Sequence, residues 1–276
     1  MPTFNDPNTC NPIITFFPED VGKTFKVTQT VTDPYGETDT FEKNILVSTS
    51  ITVVCEDEEL TIPATDSYIS NPDFNSYSEL PNFAGQMSRA NSWGQFSKGT
   101  SDYFHPDGYT NGSGGVTTAS PDGGGYVGFI SNSHKTSTGY EEYVGQNLTT
   151  PIPSGSTILS NFYAGGGNIV GEDRYATTGD RRVVLYGIPN VVAMPIDTWD
   201  SIYNMGLGVV KLGEFVLSVT GSDWEIGSIE FTAPFDIKCL VFGGESTDPN
   251  VAGDRNPKYT CVDGLLVAEK SKFACP

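Results

Sequence analysis

The side chains best suited to chemistry in this sequence are aromatic and polar residues in loop-like segments. The densest such segment, SDYFHPDGYTNG, contains Asp107 and Tyr109. Farther along the chain, Arg174 precedes Tyr175, and Trp199 follows a proline-containing stretch. Aromatic faces pack on the C–H surface of a sugar ring, and carboxylate or guanidinium groups hydrogen-bond its hydroxyls. The candidate ligand-binding residues are therefore Tyr109, Trp199, Tyr175, Arg174 and Asp107, with a surface glycan as the expected ligand.

Catalytic arrangements are poorly represented. The sequence has two histidines, His105 and His134, and neither stands in a Ser/His/Asp or Cys/His pattern. A glycosidase needs two carboxylates that face each other across a cleft. Glu141 and Glu142 alternate along a predicted strand and so point to opposite faces. We therefore expect a protein that is not an enzyme.

The candidate residues lie between segments whose pattern predicts β-strands. Apolar and polar residues alternate, and turns rich in Gly, Asn and Pro separate the runs. Eight strands are predicted at 126–130, 140–148, 157–163, 182–188, 214–219, 224–232, 237–243 and 259–267. This number of short strands with long connections predicts an all-β fold, a jelly-roll β-sandwich. Its predicted core is Phe74, Trp93, Val127, Phe129, Leu148, Leu159, Phe162, Leu185, Trp224, Ile229, Phe231, Leu240, Phe242, Val262 and Leu265.

A smaller β segment is predicted at the N terminus. Within residues 23–48, apolar and polar residues alternate on both sides of Asp33-Pro34-Tyr35-Gly36, which is a type I turn sequence. This pattern predicts a β-hairpin. Two or three strands are marginal alone in water, so we expect this segment to pack on the larger domain or to pair with another subunit. The predicted organisation is a β segment at 1–55, an acidic linker at 56–66 and the jelly roll at 67–276.

Both parts resemble known families. TFKVTQTVTDPYGETDT resembles the last hairpin of PKD and related Ig-like domains, which makes the N-terminal segment similar to a partial PKD/Ig-like domain. The rest resembles a galactose-binding-like, carbohydrate-binding-module-like jelly roll of Bacteroidota surface proteins. The motifs that resemble that family are, in order, NPDFNSY, ANSWGQFSKGTSDYFH, GGGYVGFI, YEEYVGQNLTTPIPSGSTILSNFYAGGG, RRVVLYGIPN, WEIGSIEFTAPFDIKCLVFGG and YTCVDGLLV. The resemblance implies a module that binds rather than catalyses.

The same resemblance implies a structural Ca²⁺ where the first strand lies beside the last. Transfer of the motif residue by residue gives Asp73, Asn75 and Asp263 as the ligands. Two positions depart from the family, because Asn75 replaces a Glu and Gly264 replaces a second Asp. Calcium takes about six to eight hard oxygen ligands, so the loss of two carboxylates weakens any site. The alternative is that Asp73 stabilises a turn and Asp263 is buried and hydrogen-bonded.

Charge and hydropathy exclude several partners. The sequence has 15 Lys and Arg against 34 Asp and Glu, a net charge of −19. It therefore lacks the excess of basic residues with which proteins neutralise nucleic-acid phosphates. No stretch is long and apolar enough to span a bilayer, so we expect no membrane insertion.

The five cysteines stand at positions 10, 55, 239, 261 and 275. Either Cys10 pairs with Cys55 and Cys261 with Cys275, or all five are free thiols.

These features favour a protein on a virion surface or outside the cell. Its expected partners are a surface glycan or other virion or surface proteins, in a homo-oligomer or larger assembly. The start at Met1 without a leader favours a phage tail, fibre or capsid-decoration component. The PKD-like start favours a fragment of a Bacteroidota adhesin instead. A purely structural protein–protein assembly module is the remaining alternative.

Overall fold

Antiparallel strands build both units of the chain. The structure is a computed structural model that describes residues 3–4, 14–15, 23–32, 38–46, 66–110, 119–131, 142–166, 181–198, 201–218, 223–244 and 258–273. The chain divides into two units, Met1–Glu58 and Glu59–Pro276. The finer domain limits and the PKD-like character of the first segment stay predictions.

The described residues of the first unit form two antiparallel strand pairs. Its strands are β1 (Thr3–Phe4), β2 (Ile14–Thr15), β3 (Thr24–Thr32) and β4 (Thr38–Leu46). β1 pairs with β2, and β3 pairs with β4 in a register that runs from Thr24 opposite Leu46 to Thr32 opposite Thr38. The predicted hairpin is thus confirmed, while its turn at 33–37 lies outside the described residues.

The second unit is a two-sheet sandwich. Its strands are β5 (Gly94–Gln95), β6 (Asp102–Phe104), β7 (Tyr126–Ser131), β8 (Tyr143–Ile152), β9 (Thr157–Gly166), β10 (Arg182–Ile188), β11 (Val210–Val216), β12 (Trp224–Thr232), β13 (Ile237–Gly243) and β14 (Lys258–Glu269). Short 3-10 helices lie at Met87–Arg89, Ile202–Asn204 and Lys270–Lys272. No helix in the described part of the chain is long and apolar enough to cross a membrane.

The strand order gives two five-stranded antiparallel sheets, β11-β10-β13-β8-β5 and β12-β9-β14-β7-β6. From β7 to β10 and from β11 to β14, each strand lies in the opposite sheet from the strand before it. This alternation wraps the chain around one core, which is the jelly-roll arrangement. The predicted fold, an all-β jelly-roll sandwich, is therefore confirmed.

All eight predicted strands are present, with small shifts at their ends. The predicted strand at 214–219 is instead β11, because the chain pairs with β10 from Val210 onward across a register shift between Leu185 and Tyr186. β5 and β6 were not predicted. They have two and three residues, too few to show an alternating pattern.

The inner faces of the two sheets form the main core. Trp93 lies at its centre, with ring centroids 5.1 Å from Phe74 and 5.5 Å from Phe242, and its Nε1 donates to Asn71 O at 2.8 Å. The predicted core residues are buried except for Trp224, which is partly buried, and Leu159 is buried outside the inner-face cluster. Both lie on the outward-facing positions of their strands, because side chains alternate between the faces of a sheet.

The outer faces are also covered. On the first sheet, a cluster that includes Phe96, Tyr186 and the free thiol of Cys239 lies under side chains from 192–196 and 202–209. Burial raises the pKa of Cys239 to about 12. Cys261 is buried on the outer face of the second sheet. The other three cysteines lie outside the described residues, so the predicted pairings stay predictions.

The opening segment of the second unit lies beside its last strand. Tyr68 N donates to Val267 O at 2.7 Å, and Leu265 N donates to Pro72 O at 2.9 Å. We call this junction between residues 67–76 and β14 the seam. It places the opening NPDFNSY motif against β14, as the family resemblance implies.

The packing of the inner faces predicts a large cost for the change Phe242→Ala. Phe242 is 1% exposed and contacts the rings of Trp93 and Phe129. Its truncation leaves a cavity, and we expect a loss of about 3–5 kcal/mol in the free energy of unfolding, measured by urea denaturation. Val191→Ala is the control, since Val191 is 67% exposed and its truncation should cost less than about 0.5 kcal/mol. Equal losses in the two variants would contradict the described core.

Candidate functional site

An exposed aromatic patch forms where two loops of the second unit meet. We name it the Phe83 patch, and it consists of exposed Tyr77, Phe83 and Asp107, half-buried Tyr109 and the buried ring of His105. Phe83 is 68% exposed, and its ring centroid lies 6.2 Å from that of Tyr109. Tyr109 in turn stacks on the buried ring of Phe104, with centroids 5.7 Å apart and planes within 11°. The rear of the patch is thus anchored in the protein, while Phe83 stays exposed.

Backbone hydrogen bonds hold the two loops together. Tyr109 N donates to Pro81 O at 2.7 Å, and Gly108 N donates to His105 O at 2.9 Å across the turn at 105–108. Proline and glycine occupy the second and fourth positions of this turn, as a type I turn favours. A Cβ on Gly108 would lie 2.4 Å from Pro81 O. The loops therefore approach this closely only because residue 108 is a glycine.

Polar groups stand beside the aromatic rings. The Asp107 side chain is 77% exposed, with one carboxylate oxygen 3.9 Å from His105 Nδ1. Asp107 N donates to the same ring nitrogen at 3.2 Å, and the edge of the Tyr77 ring meets His105 with centroids 5.0 Å apart. Asp107 therefore offers an exposed hydrogen-bond acceptor on the same loop as Tyr109.

The structure brings two of the five predicted ligand-binding residues together. Tyr109 and Asp107 share the Phe83 patch, whereas Trp199, Tyr175 and Arg174 lie outside the described residues. Those three assignments stay predictions.

Sequence reasoning missed Phe83 and Tyr77. The available signal at Phe83 was a large apolar side chain between Pro81 and Gly85, in a loop where no alternating pattern requires one. Tyr77 stands in the opening motif, where it resembles a framework residue. Its 38% exposure is visible only in the folded chain.

Three aspartates from separate segments converge at the seam: Asp73 from the opening segment, Asp122 from the turn before β7 and Asp263 from β14. Asn75 links the first two. Its Nδ2 donates to Asp122 Oδ2 at 2.8 Å and to Asp73 Oδ2 at 3.2 Å, and its backbone N–H donates to Asp73 Oδ1 at 3.3 Å. Gly125 N donates to Asn75 Oδ1 at 2.6 Å, which fixes the orientation of the amide.

Ser120 links Asp122 to Asp263. Its Oγ lies 2.6 Å from Asp122 Oδ1 and 2.5 Å from Asp263 Oδ2. Asp263 is 1% exposed, and its burial, together with the nearby carboxylates of Asp122 and Asp73, raises the pKa of Asp263 to about 8. Ser120 Oγ bridges the carboxyl groups of Asp122 and Asp263.

These contacts do not fit the calcium ion that the family resemblance implies. Calcium binds oxygen atoms, whereas Asn75 turns its NH₂ group toward the carboxylates because Gly125 N–H engages its oxygen. Within the described ranges, no group of three or more His, Cys, Asp or Glu side chains is arranged to hold a metal ion. The predicted ligands Asp73, Asn75 and Asp263 do come together, but as a hydrogen-bonded cluster.

A second pair of carboxylates, Glu142 and Asp102, is buried in the framework. Glu142 accepts hydrogen bonds from Thr100 N at 3.0 Å, Thr100 Oγ1 at 3.1 Å and Ile130 N at 2.8 Å. Asp102 accepts one from the Tyr259 hydroxyl at 2.5 Å. Glu142 is 1% exposed and Asp102 is 9% exposed. The bonds of Glu142 join the segment before β8 to β7, which lies in the other sheet. The bond of Asp102 joins β6 to β14.

Comparison with known proteins finds only distant structural similarity. No protein-family model matches the sequence, and no curated protein matches it. The chain is an all-β, two-sheet antiparallel sandwich that resembles carbohydrate-binding-module jelly rolls.

Three solved structures illustrate this likeness. The enzymatically active domain of tailspike protein 4 from bacteriophage CBA120 is 10% identical over 75% of this chain, with a TM-score of 0.34, and the chain spans only 22% of that protein. The K3 cleaved adhesin domain of Lys-gingipain from Porphyromonas gingivalis is 13% identical over 65% of this chain and 93% of its own length, with a TM-score of 0.34. The CBM22-2 xylan-binding domain from Paenibacillus barcinonensis is 12% identical over 65% of this chain and 92% of its own, with a TM-score of 0.38. Scores this low carry no argument about function.

The burial of Glu142 predicts a pH-dependent stability. Burial, with a contribution from the Asp102 carboxylate, raises the pKa of Glu142 from 4.5 to about 7, so the folded state binds this proton more tightly than the unfolded state. The stabilisation is complete below pH 4.5 and is lost as the pH rises through about 7. The shift corresponds to at most about 3 kcal/mol, because one pKa unit is about 1.4 kcal/mol.

The measurement is the free energy of unfolding of the wild type and of Glu142→Gln, below and above this pH window. We expect the wild type to lose stability with rising pH and the variant to lose less, since glutamine does not ionise. Asp102 and Asp263 also have raised pKa values, so a residual decline remains in both proteins. Identical pH profiles would show that Glu142 does not titrate in this window.

Proposed function

We propose that this chain is a non-catalytic binding protein, displayed on a virion surface or outside the cell, whose Phe83 patch recognises a surface glycan. The observation that supports this most directly is the exposed Phe83 ring beside Tyr109, which is itself stacked on buried Phe104. Exposed aromatic rings with fixed backing are the usual means by which proteins bind the apolar face of a sugar.

The chemistry around Phe83 suits a polyhydroxylated ligand. An aromatic face buries sugar C–H groups, while hydroxyl groups need acceptors and donors at the rim. The exposed carboxylate of Asp107 supplies acceptors, whereas the ring of His105 beside it is buried. Both groups stand on a loop whose backbone is fixed by hydrogen bonds, which lowers the entropy lost on binding.

The charge of the patch favours a neutral glycan. Asp107 is exposed, and Glu79 on the neighbouring loop is 67% exposed although it pairs with Arg89 at 3.1 Å. The whole sequence carries a net charge of −19. Sulfated or sialylated glycans would meet electrostatic repulsion at this surface, so they are disfavoured as ligands.

A non-catalytic role is part of the proposal because the described carboxyl groups with raised pKa values, Asp102, Glu142 and Asp263, are buried and hydrogen-bonded within the fold. Glu142 and Asp102 are buried and accept hydrogen bonds from neighbouring strands and loops. In this arrangement they are out of reach of a substrate. The source is also proposed: a phage tail, fibre or capsid-decoration component, with a Bacteroidota surface adhesin as the alternative. Detection of the chain in purified virions would separate the two.

A purely structural assembly module is the second candidate. It is favoured by the β3–β4 hairpin, because a two-stranded hairpin is marginal alone in water and gains from pairing with another surface. The edge strands β11 and β12 also expose Val216 and Ile226, at 41% and 55%. A homo-oligomer, or an assembly with other virion or surface proteins, would use such surfaces.

The glycan proposal predicts that Phe83→Ala and Tyr109→Ala each weaken sugar binding by about tenfold, because one stacked ring contributes about 1 kcal/mol or somewhat more. The measurement is a glycan array with the full chain, followed by calorimetric titration of the best neutral hit. Ile226→Ala is the matched control, since it removes an exposed apolar side chain on β12, at the opposite edge of the same sheet from β6.

Two outcomes would contradict the proposal. If Ile226→Ala weakens binding as much as Phe83→Ala, the patch is not the sugar site. If the wild type is silent across a broad panel and sediments as an oligomer, the assembly role replaces the glycan role.

A further inference from the structure

We propose that the Asn75 amide and the Ser120 hydroxyl take the place of a structural calcium ion at the seam, so that this chain closes its jelly roll without a metal. A calcium ion in such a position would tie separate segments together through their carboxylates. Here two uncharged side chains make those links. Asn75 joins the opening segment to the turn before β7, and Ser120 joins that turn to β14.

The hydrogen bonds leave no carboxylate oxygen of the three aspartates without a partner. Both oxygens of Asp73 accept from Asn75. Asp122 accepts from the Asn75 amide on one oxygen and from Ser120 and Gly124 N on the other. One oxygen of Asp263 contacts Ser120 at 2.5 Å, and the other accepts from Gly264 N at 2.7 Å. A cation would have to displace these partners to gain its ligands.

The orientation of the Asn75 amide is the decisive feature. An amide could bind calcium only through its oxygen, and Asn75 Oδ1 accepts a 2.6 Å hydrogen bond from Gly125 N. The turn also packs directly on this oxygen, because a Cβ on Gly124 would lie 1.8 Å from it. Rotation of the amide would place its NH₂ group against the Gly125 N–H, two donors facing each other. The NH₂ group is therefore held toward the carboxylates.

The backbone around the cluster is fixed independently of any ion. Phe74 is buried with a φ of 54°, in the left-handed region, and its carbonyl accepts a hydrogen bond from the Tyr103 hydroxyl at 2.8 Å. Leu265 N donates to Pro72 O at 2.9 Å. The segments that carry Asp73 and Asp263 are thus positioned by the core and by the seam. The amide and the hydroxyl only have to bridge groups that are already close.

The test is the melting temperature of the full chain in EDTA and in excess CaCl₂. We expect the wild type to differ by less than about 1 °C between the two conditions, because no metal binds the folded state. Asn75→Asp replaces the amide donor with a fourth carboxylate. We expect calcium to raise its melting temperature by roughly 5 °C or more, as a ligand at about 100 times its Kd does for a chain of this size.

Two further variants complete the experiment. Asn204→Asp adds the same charge at an exposed position of the 3-10 helix Ile202–Asn204 and should stay indifferent to calcium. Asn75→Ala frees the same carboxylate oxygens without adding a charge, and it too should gain a calcium response, so it decides the matter if Asn75→Asp does not fold. A saturable, EDTA-reversible rise in the wild type would overturn the proposal. So would Asn75 variants that are as indifferent to calcium as the wild type.

Discussion

Burial of the two inner sheet faces against each other is the interaction on which the second unit depends. Trp93 packs between Phe74 and Phe242, and its indole N–H donates to Asn71 O, so the core also binds the opening segment. That segment brings Asp73 and Asn75 to β14. The polar cluster at the seam is therefore a consequence of the aromatic core, because the carboxylates meet only where apolar packing has already placed their backbones.

Coverage of the outer faces limits where a ligand can be bound. One outer face lies under side chains from 192–196 and 202–209, and the other carries buried Phe104, Tyr126 and Tyr259. Carboxylates on these covered surfaces, such as Asp102, serve as links between strands and have raised pKa values because they are desolvated. In the described part of the second unit, the exposed rings that suit a ligand stand on loops. In many β proteins the rigid sandwich positions the loops, and the loops carry the residues that contact other molecules.

Sequence periodicity was informative wherever a strand had one face in the core. Alternation located β12 and β13 at their observed limits, since each has a continuous pattern over several residues. It failed for β5 and β6, which are too short to show a period. It did not separate Leu159 and Trp224 from the inner-face residues, because an apolar side chain gives the same signal in the sequence when the outer face of the sheet is also covered.

The amino-acid sequence by itself determined the class of fold, the hairpin of residues 24–46 and most of the inner core, because a period of two and turn residues are local properties. It also named Asp73, Asn75 and Asp263 as one group, through the resemblance of the opening and closing motifs. Only the tertiary structure shows how the side chains of that group are hydrogen-bonded. The orientation of the Asn75 amide depends on Gly125, which is distant in sequence, and the position of Phe83 beside Tyr109 depends on the contact between two loops. Such contacts join residues far apart in the chain, and no local pattern records them.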